Sequence, residues 1–126
     1  MMRAPDLHIQ AGRSYRFKVG WQNRTTQDGQ QSMQPVNITN CQLVCEIRSQ
    51  ADKSLIARAD SNGNGIDILN AEDALVSVCF SPETTKGQPA TKLGEAVYEL
   101  MCRFPSGDAY SVVRGLVAIE PEIIPL

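Results

Sequence analysis

In Cys41-Gln42-Leu43-Val44-Cys45-Glu46-Ile47-Arg48, apolar side chains stand at every second position. An extended chain gathers Cys41, Leu43, Cys45 and Ile47 on one face. The same period of two recurs on both sides of this stretch. Downstream, Gln50-Ala51-Asp52-Lys53 predicts a turn and Leu55 to Ala59 the returning strand of a hairpin. Ser61-Asn62-Gly63-Asn64-Gly65 predicts a second turn, because Asn-Gly pairs supply positive-φ positions at little cost. Ile66 and Ile68 make a short strand, and Leu75 to Phe80 is apolar enough to be central in a sheet.

Further on, Ala96, Tyr98, Leu100, Cys102 and Phe104 alternate with Val97, Glu99, Met101 and Arg103. Pro105-Ser106-Gly107-Asp108 turns the chain into a last strand from Tyr110 to Ile119, with Val113, Gly115, Val117 and Ile119 on one face. Upstream, Tyr15, Phe17, Val19 and Trp21 share a face, which places Trp21 in the core. Leu7 and Ile9 suggest a short edge strand that leaves His8 exposed. Ser81-Pro82-Glu83-Thr84 carries the signature of a helix start, and Gly87 and Pro89 confine it to one turn near 81–87. From 23 to 35 the chain is polar and patternless, which reads as a long surface loop.

These elements predict an all-β fold, an antiparallel immunoglobulin-like β-sandwich of about seven or eight strands. At 126 residues the chain has room for a single domain, with its core over about 6–120 and a short apolar tail at 121–126. Hydrophobic residues at 42% and charged residues at 21% fit a globular protein. Twelve basic residues against fourteen acidic ones give a formal charge of -2, which argues against a nucleic-acid partner. No stretch approaches the ~20 apolar residues of a membrane span, and the N-terminus carries no signal-peptide core. The expectation is a chain made in a cytosol, with no membrane partner.

Catalysis needs a base near neutrality, an activated nucleophile or a metal. His8 is the one histidine, and the acids fall mostly in turns and strand ends. Neither a catalytic residue nor a cofactor is expected. Cys41 and Cys45 share a face about 13 Å apart by strand rise, too far to bridge or to chelate one ion. The four cysteines are therefore expected as buried free thiols. Asp60, Asn62, Asn64 and Asp67 offer oxygen ligands at short spacing, but the twelfth position from Asp60 is Ala71, where a calcium loop needs a bidentate acid. A plain Asn-Gly turn is the expectation there.

In order, Ala11-Gly12-Arg13-Ser14-Tyr15-Arg16-Phe17, Ile38 to Arg48, Gly65-Ile66-Asp67-Ile68, Ser81-Pro82-Glu83-Thr84-Thr85, Ala96-Val97-Tyr98-Glu99-Leu100 and Ser106-Gly107-Asp108 followed by Val113 to Ile119 form a series. That series resembles small phage and prophage structural proteins, and the N-terminal domain of the phage baseplate upper protein family. The resemblance spans about Asp6 to Ile124. It implies a non-enzymatic virion module made in the host cytoplasm, an adaptor of the tail, baseplate or fibre-attachment region. Its partners would be other virion proteins and further copies of itself. A capsid decoration protein and a carbohydrate-binding sandwich at the host-contact surface are the alternatives. The loop at 23–35 is longer than the pattern, and a Gly87-Gln88-Pro89-Ala90 extension follows the helical turn. Partner contacts are expected at Asp28 and Gln30 in the loop and at Ile123, Ile124 and Leu126 in the tail.

Overall fold

A computed structural model of the chain describes residues 2–3, 5–27 and 29–124. In chain order the backbone forms β1 (Met2–Arg3), β2 (Leu7–Gln10), β3 (Tyr15–Gly20), β4 (Gln22–Gln27), β5 (Gln30–Pro35) and β6 (Gln42–Ser49). It continues through β7 (Leu55–Asp60), β8 (Ile66–Asn70), β9 (Leu75–Phe80), the helical turn α1 (Pro82–Thr85), β10 (Thr91–Arg103) and β11 (Ala109–Glu120). The fold is all-β with one short helix, as the alternation predicts. Eleven strands are present among the described residues, and the three not foreseen are β1, β4 and β5.

The largest sheet runs β1-β11-β10-β6-β7, with β2 also paired to β11. A second sheet has the order β3-β9-β8, and β4 pairs with β5 alone. The expectation of purely antiparallel pairing is corrected at one edge, where β1 and β2 both run parallel to β11. The expected loop at 23–35 is corrected too: Gln22 to Gln27 pairs in unbroken register with Gln30 to Pro35. Every residue of β5 is exposed. A strand wetted in this way has no inward face to mark with apolar residues, so period two is missing from the β5 sequence although the backbone is extended.

The core forms where the alternating faces of the two larger sheets meet. Leu43, Cys45 and Ile47 of β6, Tyr98, Leu100 and Cys102 of β10, and Val76, Val78 and Phe80 of β9 are all buried. Phe17 of β3 joins the sheets, its ring centroid 6.4 Å from Phe80 and 5.6 Å from Tyr98. β3 is an edge strand, so its inward residues Tyr15, Phe17 and Val19 are only half-buried. The Tyr98 hydroxyl donates to the Pro5 carbonyl at 2.8 Å, which satisfies the one polar atom of an otherwise apolar contact. In β11 a register shift against β10 lies between Val113 and Ser111, where Val112 and Val113 are both buried, and parity fails again at Ala118, which is buried between Val117 and Ile119.

Residues distant in sequence meet at the β2–β3 turn. Gly12 sits at φ +75°, and a Cβ there would overlap the Glu122 carboxylate. Its N–H donates to the hydroxyl of Thr85, a fully buried residue of α1, at 3.0 Å. Ser81 occupies the N-cap position of α1 with extended backbone but makes no side-chain cap; the Thr84 hydroxyl donates to its carbonyl instead. Thr85→Val keeps the volume and removes the acceptor, leaving the buried Gly12 N–H unpaired. The expected cost is about 1–3 kcal/mol, read from urea unfolding midpoints. A variant as stable as the parent would show that water takes over that bond.

Candidate interaction surface

The residues foreseen as partner contacts lie at two ends of the molecule. Gln30 begins β5 and is exposed at the tip of the ribbon, and Asp28 lies outside the described residues. The base of the ribbon is tied to the body where the Trp21 N–H donates to the Ala74 carbonyl and the Val36 N–H to the Trp21 carbonyl. At the other end of β3, the Ala11 N–H donates to the Glu120 carbonyl. The chain then passes Gly12 and leaves Ile123 91% and Ile124 65% exposed. Arg13 donates to the carbonyls of Gly12 and Ile124, which fixes the course of this segment. Leu126 is outside the described residues. Ribbon and apolar segment thus flank the length of β3.

Trp21, expected in the core, is half-buried at the ribbon end. Its ring lies 6.0 Å from Phe104 and 6.3 Å from Tyr110, and those two meet edge to face at 5.7 Å. Tyr110 is 49% exposed, so the trio closes the end of the core and also shows an aromatic surface to solvent.

Across the outer face of the large sheet runs an open groove of about 880 Å³. Pairing across four strands places Arg58, Glu46, Glu99 and Arg114 in one row. Glu46 and Glu99 face each other, and each is neutralised from its outer side. Arg58 reaches Glu46 at 2.9 Å, Arg48 reaches it at 2.9 Å, and Arg114 reaches Glu99 at 3.0 Å. The rows on either side are apolar at their centres, with Val44 beside Met101 and Val97 beside Leu116. Arg103 closes one end of the groove, and its side chain makes no ion pair or hydrogen bond among the described residues. Five basic side chains and two acidic ones line the groove, a positive surplus on a chain of formal charge -2.

Burial pushes the Glu46 carboxyl up, but hydrogen bonds from Arg58 and Arg48, with their charges, outweigh it and hold the group below the ordinary carboxylate range. Asp52 and Asp60 are lowered as well, by bonds from Ser54 and from Asn64 and Asn62 respectively. A lowered folded-state value contributes stability above the unfolded-state value that is lost as pH falls through the folded one. Thermal melts are therefore expected to be level near neutrality and to drop below about pH 4. Glu46→Gln should shrink that drop, and an unchanged acid limb would remove Glu46 from the account.

His8 is exposed on the edge strand β2. The Asp60 carboxylate accepts from the Asn62 N–H at 2.9 Å and from the Asn64 amide at 2.9 and 3.1 Å, so its oxygens organise the Asn-Gly turn. All four cysteines are free thiols, and Cys41, Cys45 and Cys102 are buried. Burial pushes the Cys45 and Cys102 thiols far up, with Glu46 and Glu99 adding to the effect at Cys45 and Cys41 at Cys102. A thiol-specific disulfide reagent at pH 8 should thus modify Cys45 and Cys102 only after denaturant is added. Rapid labelling of either in the native protein would contradict that burial.

The groove went unread because its lining comes from four strands far apart in sequence. The visible trace was that each outward set, such as Val44-Glu46-Arg48 and Val97-Glu99-Met101-Arg103, mixes charge with apolar residues instead of being polar throughout. No protein-family model matches the chain, and no curated protein matches it in sequence.

Proposed function

We propose that this chain is a non-enzymatic structural module of a phage particle, an immunoglobulin-like β-sandwich acting as an adaptor in the tail, baseplate or fibre-attachment region through protein–protein contacts. The observation that carries the reading is the β4–β5 ribbon, which among the described residues forms a two-stranded sheet of its own and exposes every residue of β5. A lone two-stranded hairpin is marginal in water, and an exposed extended ribbon suits strand addition by a neighbour. The strand orders β3-β9-β8 and β11-β10-β6-β7, with the first strand beside the last, support the immunoglobulin-like arrangement. The resemblance to virion proteins gives the setting. Light scattering on the purified chain, alone and with the proteins encoded beside it, tests the adaptor. Recruitment by a tail, baseplate or portal-region neighbour is expected; indifference to all of them would overturn it.

The aromatic trio favours one other reading, a carbohydrate-binding sandwich. Trp21, Phe104 and Tyr110 form a partly exposed aromatic end of the kind on which sugar rings stack. Titrating host-surface glycans against Trp21 fluorescence separates the two: a saturable shift lost in Tyr110→Ala favours sugar binding, and a flat titration favours the adaptor.

A further inference from the structure

We infer that copies of this chain join head to tail, the exposed Ile123–Ile124 pair of one copy seating in the groove on the large sheet of the next. The inference rests on the assembly reading above and names the two surfaces it would use. On the donor side, Ile123 is 91% and Ile124 65% exposed, a large apolar surface for two adjacent side chains. Glu120 stands exposed just before them, the Glu122 carboxylate lies over Gly12 of its own chain, and Arg13 donates to the Ile124 carbonyl. On the acceptor side, the groove offers an apolar centre, including Leu116 at 42% exposure, inside a rim with surplus positive charge. Arg103 and Lys53 are rim cations that no carboxylate holds among the described residues, and Arg103 is also free of side-chain hydrogen bonds there.

Apolar meets apolar, and the Glu120 carboxylate meets a guanidinium group of the rim. The occupant is a second copy because the complementary segment belongs to this same chain. Donor and acceptor are different surfaces, so the contact is heterologous. Such contacts build rings where the rotation closes and open stacks where it does not. Opposite charge at the rim chiefly speeds and orients docking, while the buried apolar pair supplies the holding free energy.

The test uses the full chain with two substitutions at exposed sites, Ile123→Asp on the donor and Arg103→Glu on the acceptor. Thermal melts first check that both variants fold like the parent; Ile123→Ser and Arg103→Gln replace either one that does not. Sedimentation of the parent at low salt should show mass rising with concentration, and 0.5 M salt should weaken it. Each variant alone should associate at least about tenfold more weakly. An equimolar mixture of the two retains one intact donor and one intact acceptor, and is expected to stop at a one-to-one dimer. A parent that stays monomeric, variants that associate like the parent, or a mixture that stays monomeric would each overturn the inference. A monomeric parent still recruited by a virion neighbour would overturn the head-to-tail contact and leave the adaptor reading standing.

Discussion

Leu100→Ala is expected to destabilise the protein by about 2–5 kcal/mol and to lower the melting temperature by on the order of 10 °C. Leu100 is fully buried in β10, the strand that pairs with β6 on one side and β11 on the other. Its register neighbours are Cys45 and Val113, both buried, so the space vacated by the side chain is walled by paired strands. Hydrogen-bonded strands on both flanks resist collapse into a void, which puts the loss toward the costly end of the leucine-to-alanine range. Urea unfolding followed by tryptophan fluorescence reads the effect through Trp21. A midpoint within error of the parent would mean that the β10 register is wrong.

Gly65→Ala is expected to cost roughly 2–4 kcal/mol, although it adds a single methyl group. Gly65 has φ +105°, and a Cβ there would overlap the backbone carbonyl oxygen of Cys79. This close approach links the sheets. Gly65 bridges to Asp60 at the end of β7, and its carbonyl accepts from the Cys79 N–H of β9 at 2.8 Å. Backbone cannot yield as a flexible side chain can, so the crossing must move and one of those contacts is lost. Gly63, two residues earlier at φ +85°, has open space where a Cβ would go. Gly63→Ala should thus pay only for the strained backbone, and the difference between the two variants isolates the close approach. Equal losses in both would show that the link between sheets contributes nothing beyond turn geometry.

How much of this was legible follows from which residues face inward. Wherever a strand buries one side, the period of two marks it: Leu43, Cys45 and Ile47, or Ala96, Tyr98, Leu100 and Cys102, are buried as their spacing predicts. The β6–β7 hairpin and the central place of β9 follow from the same signal. Trp21, one residue past β3, shows its limit, because parity tells which face a residue takes but not that the strand leading to it is an edge, where the inward face is only half covered. Strand β5 has no inward face and therefore no pattern. Ile123 and Ile124 are exposed, and the groove needed the register of four strands before Glu46, Glu99, Arg103 and Arg114 could be seen as one surface.

The central claim is that this chain is built into a phage particle. Quantitative mass spectrometry of intact particles, purified through a density gradient from cells carrying the gene, tests it most directly. A virion module should band with the particles at a fixed copy number relative to the tail or capsid proteins, and high-salt washing should leave it in place. Particles that are complete and infectious without the chain, with all of it left in the soluble fraction, would contradict the account.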